Sequence, residues 1–338
     1  MKLFLSLISV FLFCTPLLAD DSSREPLNNR TISFLPRETI DVSKMGVNAF
    51  VNDSRFGSIN AQFTEVKDAL GLTQVRVLFG WDDNVQPTPG SKPFFGFYDE
   101  IIKELPKGMR ALVIITGLPS WMSDSSNWLG NDPRRTFHRR WIQKIIRRYR
   151  RKRKVVGFQI WNEPNMSTNS ENDVLEFTSS PENYVSLLRR AKRYRDRRAR
   201  KKLIVSAATT SIIQDYPETL EYNEALVSAG AEQYLDRWGI HFYGTSLERM
   251  LIPGGPSDFM NSLNKPIWIT ESGRQGINEQ LNYVERVWPY ITDDVPGIER
   301  IYFYQFTESS NAAETFGLKN LTEGQTVSDL YIWLRDRD

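Results

Sequence analysis

Eight short runs of apolar, β-branched and aromatic residues recur along the chain, and most of them are separated by amphipathic helical patterns. From Asn48 to Gln305 each step takes about 37 residues, the size of one strand with its helix and loops. Residues 111–115 are apolar at every position, as in parallel strands that are buried on both faces. The sequence therefore predicts strands over 45–50, 74–79, 111–116, 155–161, 203–208, 237–242, 266–270 and 300–306.

These eight units fit a single (β/α)8 TIM barrel of the α/β class, which we expect to occupy residues 40–338. A doubly wound open sheet is the alternative. That architecture carries a glycine-rich phosphate loop after its first strand, and residues 46–50 lack the required glycines. No linker divides the chain and no internal repeat is evident, so the sequence predicts one domain.

The first 39 residues are predicted to lie outside the barrel. Residues 1–19 have the pattern of a secretory signal peptide, with a positive start, an apolar run over 3–18 and Ala19 at the cleavage position. An uncleaved membrane anchor is the alternative, although the run is short for a membrane span. Residues 20–39 are polar and contain two prolines, which predicts an extended lead-in segment. The mature protein is then secreted or periplasmic and contains no cysteine.

One Cys and two His among 338 residues exclude most zinc, iron–sulfur and Cys/His catalytic sites. We therefore expect no cofactor and no metal, and chemistry that rests on carboxylates, amides and aromatic rings. A metal-dependent hydrolase is disfavoured because the strand ends offer no histidine-rich ligand set. Globular proportions, with 40% hydrophobic and 25% charged residues, exclude a disordered chain.

Two glutamates follow predicted strands. Glu163 comes after the fourth strand in Trp-Asn-Glu-Pro-Asn, and Glu271 ends the seventh strand in Thr-Glu-Ser-Gly. They are 108 residues apart, or about three strand–helix units. Because the C-terminal strand ends of a barrel share one face, the two carboxylates are predicted to converge there. A surface acid at Glu163, beside a turn-forming Asn162, is the alternative interpretation.

The two motifs resemble those of glycoside hydrolase clan A, most closely families 39 and 5, whose members share a (β/α)8 barrel. The resemblance implies a retaining O-glycosyl hydrolase with Glu163 as acid and then base, Glu271 as nucleophile, and Asn162 bonded to the sugar 2-hydroxyl. The substrate is then a β-linked polysaccharide or oligosaccharide. A transglycosylase on the same scaffold and a non-catalytic glycan-binding barrel are the alternatives.

Other polar residues lie near the predicted strand ends. Arg76 interrupts an apolar strand, and a buried guanidinium needs a partner. The resemblance implies Glu271 as that partner, whereas an outward arginine that reaches solvent is the alternative. His241 and Tyr243 lie two residues apart, on one strand face. In the clan pattern the histidine lines the sugar site and the tyrosine contacts the nucleophile; a purely structural histidine is the alternative.

Aromatic residues near strand ends are typical of sugar sites, because the apolar faces of sugar rings stack on them. The candidates are Trp81, Trp121, Trp128 and the aromatic group at 94–98, with loop packing as the alternative for each. The sequence also departs from the family pattern. The third strand ends without a histidine, and the eighth lacks a tryptophan, for which Tyr304 or Gln305 is the predicted replacement.

Two segments carry much of the positive charge. Residues 134–154 contain twelve Lys and Arg and no acid, and residues 189–202 contain ten with one Asp, although the whole chain carries only +2. They are predicted to form neighbouring outer helices whose cations face outward, with His138 at the surface. A solvated helical face is one interpretation, and contact with an anionic surface is the other. No motif favours specific nucleic-acid binding, and we expect a monomer.

Overall fold

Eight parallel strands form the central sheet of the computed structural model, which describes residues 32, 34–244, 247–321 and 326–337. The strands are β1 (Met45–Asn48), β2 (Gln74–Gly80), β3 (Arg110–Thr116), β4 (Val155–Ile160), β5 (Leu203–Ser206), β6 (Trp238–His241), β7 (Ile267–Ser272) and β8 (Ile298–Phe303). Their order is β5-β4-β3-β2-β1-β8-β7-β6. A parallel bridge between Val205 and Arg237 joins β5 to β6. The predicted single (β/α)8 barrel is confirmed.

Helices surround this barrel. The α-helices are Ile59–Thr64, Gly96–Glu104, Pro133–Phe137, Gln143–Tyr149, Ser170–Val174, Pro181–Arg198, Glu218–Ser228, Leu247–Met250, Pro256–Ser262, Gln280–Asp294 and Asp329–Asp336. π-Helical turns occupy Glu65–Ala69 and His138–Ile142, and the second joins two α-helices into one continuous segment. A small sheet of Thr307–Glu308, Lys319–Asn320 and Thr326–Val327 follows β8.

Strand β2 shows how the sequence pattern sets the layers. Val75, Val77 and Phe79 are fully buried in the core between the strands and the helices. Arg76 points to the opposite side, into the barrel, because successive side chains of a strand alternate in direction. Its ladder partner Leu112 belongs to a separate small apolar cluster on that inner side. Arg76 is only 1% exposed, which excludes the alternative of an arginine that reaches solvent.

The described part of the lead-in segment packs against the helix Gln280–Asp294. The backbone N–H of Glu38 donates to the carbonyl of Glu285 at 2.9 Å, and Arg37 forms an ion pair with the Glu285 side chain. The predicted signal peptide lies outside the described residues. In the described part of the chain, no helix combines the length and apolarity that a membrane span requires.

The two basic segments form neighbouring outer helices, as predicted. In the first segment the residues that repeat at helical spacing are all buried against the barrel: Trp141, Ile142, Ile145, Ile146 and Tyr149. Most arginines of the same segment remain exposed or half-buried. The helical period therefore separates an apolar inner stripe from a charged outer face.

The prediction of a surface position for His138 is wrong. The residue lies in the π-helical turn His138–Ile142 and is only 6% exposed. Its ring meets the Tyr194 ring edge to face, with centroids 6.2 Å apart. Burial, together with the charges of Arg190 and Arg139, lowers the pKa of His138 to about 4.

We expect His138 to make the protein less stable in mild acid. The unfolded chain takes up a proton near pH 6.5, whereas the folded chain keeps the ring neutral down to about pH 4. This stabilisation is therefore present above pH 6.5 and is lost as the pH falls towards 4, by roughly 2–3 kcal/mol. Urea unfolding at pH 7 and about pH 4.5 measures it: His138→Gln should lose less free energy of unfolding than the wild type. Equal losses in the two proteins contradict the prediction.

Candidate active site

Glu163 and Glu271 lie at one mouth of the barrel, at the C-terminal ends of β4 and β7. One oxygen of each carboxylate and a ring nitrogen of His241 lie within 4.8 Å of one another. His241 stands between the two acids. Its Nδ1 is 3.0 Å from Glu163 Oε1, and its Nε2 is 3.4 Å from Glu271 Oε1. The structure thus brings together two side chains that are 108 residues apart in sequence.

A strained turn after β4 positions Glu163. Trp161 and Glu163 have φ angles of 75° and 44°, in the left-handed region, which costs a non-glycine residue about 1–3 kcal/mol. Hydrogen bonds hold the turn: the N–H of Glu163 donates to the Ala208 carbonyl at 2.9 Å, and Asn172 Nδ2 donates to the Glu163 carbonyl at 2.8 Å. The indole of Trp161 donates to Asn172 Oδ1 at 2.7 Å. Asn172 therefore fixes both ends of the turn.

Irregular pairing between β6 and β7 places His241 beside Glu271. The ladder shifts register between Ile240 and His241, so that His241 pairs with Glu271. Bulges of this kind redirect side chains next to active sites. Tyr243, two residues further on, donates its hydroxyl to Glu271 Oε2 at 2.8 Å. Both sequence-predicted residues of this segment therefore contact the Glu271 carboxylate or approach it closely.

Arg76 is the centre of a buried hydrogen-bond network beneath Glu271. Its Nη1 donates to Glu271 Oε1 at 2.7 Å and to Asn48 Oδ1 at 2.8 Å. Its Nε donates to Gln159 Oε1 at 2.7 Å, and its Nη2 donates to Asn162 Oδ1 at 2.9 Å. Four acceptors thus orient one planar guanidinium. Arg76 also orients Asn162, the predicted partner of the sugar 2-hydroxyl.

Glu271 is held in its ionised form. Burial on its own raises the pKa of a carboxyl group. The charges of His241 and Arg76, with hydrogen bonds from Tyr243 and Arg76, outweigh burial and hold the pKa of Glu271 below its ordinary value of 4.5. Burial and the charge of Glu271 raise the pKa of Tyr243, so its hydroxyl keeps its proton and remains a donor.

The sequence analysis missed two amide side chains, Asn48 and Gln159. Asn48 Nδ2 donates to the Thr270 carbonyl at 3.1 Å, and Gln159 Nε2 donates to the Ser206 carbonyl at 3.1 Å. Both amides are buried, and each accepts a hydrogen bond from the arginine through its oxygen. The available signal is a polar residue inside an apolar strand, the same signal that singles out Arg76.

Tyr304 follows β8 and forms an aromatic wall beside the acids. Its ring centroid lies 6.4 Å from that of Tyr243 and 5.8 Å from that of Phe316. Phe50 lies 6.1 Å from it. Of the two predicted replacements for a tryptophan at the end of β8, Tyr304 is therefore the one that contributes a ring. Phe50 and Phe316 were not among the candidates. The sequence pattern extends the first strand through Phe50, whereas β1 ends at Asn48, and Phe316 lies in a loop whose path the strand pattern does not define.

The structure corrects the expectation that Trp81 contacts a sugar. Trp81 has no exposed surface, and its ring packs against Trp121, Phe137 and Trp141. Stacking on a sugar needs an accessible ring face, so Trp81 supports its neighbours instead. Trp121 is half-buried in the loop after β3, where its indole donates to the Gln86 carbonyl at 2.8 Å. Trp121 follows the C-terminal end of β3, the side of the barrel on which the two acids lie.

The cluster of Glu163, His241 and Glu271 is also the group among the described residues that is spaced closely enough to hold a metal ion. Arg76 already supplies a cation to Glu271 Oε1, at 2.7 Å. A metal ion bound to the same oxygen would face the repulsion of the adjacent guanidinium. The donor set therefore fits an arginine-paired carboxylate better than a metal centre.

We expect Arg76→Met to lower the free energy of unfolding by about 3–5 kcal/mol, because it leaves the buried Glu271 carboxylate without its ion-pair partner. Arg76→Lys should restore only part of this loss, since an ammonium cannot reproduce the planar fork of a guanidinium. Urea unfolding at pH 7 measures both variants. The exposed Arg147→Gln is the control, with an expected change within about 0.5 kcal/mol. Equal unfolding midpoints for Arg76→Met and the control contradict the prediction.

Two family models match the chain. The glycosyl hydrolase catalytic core model matches residues 132–332, which is more than half of the chain. The cellulase (glycosyl hydrolase family 5) model matches residues 37–194. No curated protein matches the sequence.

Solved structures share the barrel at low sequence identity. A family 39 glycoside hydrolase from Bacteroides cellulosilyticus WH2 matches 89% of this chain and 64% of its own, with a TM-score of 0.61 and 14% identity. The catalytic domain of GH30 xylanase C from Talaromyces cellulolyticus matches 89% and 75%, with a TM-score of 0.58 and 14% identity. A β-glucosidase from Thermotoga maritima matches 88% and 98%, with a TM-score of 0.60 and 14% identity.

This chain spans just under two thirds of the length of the family 39 enzyme, and at these identities the likeness is one of fold. The match over residues 132–332 is one of sequence and covers the segment from the helix before β4 to the C-terminal helix. The chain therefore belongs to the glycosyl hydrolase catalytic core family, with the (β/α)8 barrel of glycoside hydrolase clan A.

Proposed function

We propose that this protein is an exported, retaining glycoside hydrolase that cleaves O-glycosidic bonds of a β-linked polysaccharide or oligosaccharide. The observation that carries the proposal is that one carboxylate oxygen of Glu163 and one of Glu271 lie within 4.8 Å of each other at one mouth of the barrel. Retaining glycosidases hold their two carboxyl groups about 5–5.5 Å apart, whereas inverting enzymes need about 6.5–9.5 Å to admit a water molecule between them. The short separation supports double displacement.

In the first step Glu271 attacks the anomeric carbon, and Glu163 gives its proton to the departing glycosidic oxygen. The products are a glycosyl ester on Glu271 and a free alcohol. In the second step the Glu163 carboxylate takes a proton from water, the water oxygen bonds to the anomeric carbon, and the Glu271 carboxylate departs. Two inversions restore the original anomeric configuration.

His241 links the two acids. Its Nδ1 lies 3.0 Å from Glu163 Oε1, and its Nε2 faces Glu271 Oε1 at 3.4 Å. The first step requires a proton on Glu163 and a negative charge on Glu271. The close hydrogen bonds of Arg76 and Tyr243 to Glu271 support the same assignment.

Tyr243→Phe should shift the acid limb of the kcat/KM profile to higher pH. The hydroxyl of Tyr243 lowers the pKa of Glu271, so its removal raises that pKa and reduces the ionised fraction in acid. Initial rates on an aryl β-glycoside between about pH 3 and pH 8 measure the shift. Tyr290→Phe, on an outer helix, is the matched control with an unchanged profile. An acid limb that stays in place in Tyr243→Phe contradicts the assignment.

The proposed substrate class includes several β-linked glycans. Two of the similar structures are a xylanase and a β-glucosidase, which supports a β-linked glycan. Purified protein is therefore tested on β-glucan, mannan, xylan and bacterial exopolysaccharides. Proton NMR then follows the first-formed product of the cleaved substrate, which should be the β-anomer. An α-anomer formed first refutes the retaining mechanism, and inactivity on every glycan and aryl glycoside refutes the hydrolase.

Two alternatives on the same scaffold are tested in the same reactions. An added sugar acceptor that outcompetes water identifies a transglycosylase, because both activities share the glycosyl ester. A non-catalytic glycan-binding barrel needs no ionised nucleophile. The hydrogen bonds from Arg76 and Tyr243 to Glu271 favour its ionised form, and they therefore argue against this alternative. Export is tested separately by N-terminal sequencing of the protein recovered outside the cytoplasm, which should begin near Asp20.

A further inference from the structure

A basic cleft lies on the outer layer of the barrel, between the loop and helix over 130–143 and the helix Pro181–Arg198. Its volume is about 620 Å³, within the range of about 300–1,000 Å³ that small-molecule sites occupy. Five arginines line it, and no lysine does: Arg135, Arg139, Arg190, Arg197 and Arg198. None of its lining residues belongs to the candidate active site.

The positive charge of this cleft is largely unpaired. Arg190 forms an ion pair with Asp132 at 2.8 Å, and its Nε has no hydrogen-bond partner. The other four arginines are exposed and form no ion pair with any described residue. Guanidinium groups bind carboxylate, sulfate and phosphate through two parallel hydrogen bonds, which a lysine cannot do. The cleft therefore has the charge and the donors for an anionic group.

A buried polar atom in the same cleft lacks a partner. His138 lines the cleft, and its Nε2 has no hydrogen-bond partner among the described residues. Its Nδ1 lies 3.5 Å from Gln143 Nε2, and the Arg190 backbone also acts on the ring, but Nε2 has no hydrogen-bond partner of good geometry. His138 and Arg139 both belong to a π-helical turn, a feature that is frequent at functional sites. A buried unsatisfied nitrogen of this kind needs a physical explanation, and a bound oxygen atom supplies one.

We propose that the cleft binds one anionic sugar unit, whose carboxylate, sulfate or phosphate group pairs with Arg139 and Arg197 while His138 Nε2 donates to one of its oxygens. Tyr194 lines the cleft and is half-buried, so its ring is available for contact with the sugar ring. A concave site suits a single sugar, whereas a flat anionic membrane would contact the cations along the outer faces of both helices equally. The proposal is independent of the chemistry at Glu163 and Glu271.

Calorimetric titration of the full mature protein at low salt tests the proposal. The probes are digalacturonate, a sulfated disaccharide and glucose 6-phosphate, with cellobiose as the neutral control. At least one anionic probe should bind at one site per chain, with a Kd on the order of 0.1–1 mM. Inorganic sulfate, which lacks the sugar, should bind at least about tenfold more weakly. No binding by any anionic sugar, or equal binding of inorganic sulfate, overturns the proposal.

Matched variants locate the site. Arg139→Gln with Arg197→Gln should raise Kd by about tenfold or more. Arg147→Gln with Arg193→Gln removes the same charge from the same two helices outside the cleft, and should change Kd less than about twofold. Equal losses in the two double variants indicate diffuse attraction and overturn the proposal, as does equally tight binding of anionic phospholipid vesicles by the wild type and the cleft variant.

Two further readouts separate this site from the active site. A bound anion offsets the arginine charges that now act on His138, so the pKa of its ring should rise when the probe is added, as followed by NMR. A pKa that does not move overturns the contact with His138. The cleft variant should hydrolyse a neutral glycan at the wild-type rate. A negative result for anion binding therefore does not contradict the proposed hydrolase activity, and a negative result for hydrolysis does not contradict anion binding.

Discussion

Glu271→Gln should abolish turnover, with a loss of at least ~10⁴-fold in kcat, because the amide cannot form the glycosyl ester on which the first step depends. The substitution is nearly isosteric. Its carbonyl oxygen still accepts from Arg76 or from Tyr243, which contact opposite oxygens of the native carboxylate. The loss should therefore fall on the chemical step. Initial rates on the natural glycan and on an activated aryl glycoside measure it.

A trapping experiment is the control for this variant. A 2-deoxy-2-fluoro glycoside with a good leaving group should add one sugar mass to the wild type, on the peptide that contains Glu271. The Glu271→Gln protein should take up no label while it keeps the circular dichroism of the wild type. Full turnover by the variant, or label on a different residue of the wild type, rules out Glu271 as the nucleophile.

Glu163→Ala should slow cleavage of a natural glycan by about 10²–10⁴-fold, because the departing oxygen no longer receives a proton. The first step should keep its rate on an aryl glycoside, because the phenolate departs without being protonated. The second step then limits the rate, since no base activates water. Azide needs no base, and it enters the space that the Glu163 side chain vacates, so it should restore turnover and release a β-glycosyl azide. Product analysis with and without azide measures the effect.

Asp173→Ala is a suitable companion variant, since Asp173 is an exposed acid in the helix that follows the Glu163 turn. It should behave as the wild type on all substrates and should show no azide product. An absence of rescue in Glu163→Ala, or an azide product of the opposite configuration, would remove Glu163 from the acid/base role. Undiminished cleavage of the natural glycan would do the same.

The sequence predicts the barrel well because its strands are marked by runs of residues that only a doubly covered sheet can bury. The ends of those strands are less visible. The pattern extends the fourth strand through Trp161, whereas β4 ends at Ile160 and Trp161 adopts a left-handed conformation. Trp161 is fully buried in either case. Hydropathy reports burial, and it carries no information about the sign of φ.

Arg76 is predictable from the sequence because a buried charge in an apolar strand needs a partner, and the two acids are predictable because they lie at the C-terminal ends of such strands. Aromatic residues are less informative: Trp81 is buried in the core, whereas Tyr304 lies beside Tyr243. The residue type alone does not show whether a ring face remains accessible to a sugar. The prediction for His138 fails for a different reason. The residue lies in a π-helical turn among cations that otherwise face outward, and the sequence gives no sign of that turn.

Arg76 ties β2 to acceptors on β1, β4 and β7, and its ion-pair partner is 195 residues away along the chain. A fragment made of the first four strands contains the guanidinium without that carboxylate. The complementary fragment contains the carboxylate without the guanidinium. Neither half alone can complete the centre. When the denatured chain is diluted into buffer, hydrolysis should therefore return only after the barrel has closed, later than compaction and helix formation. The time course of activity during refolding then reports the closure of the barrel.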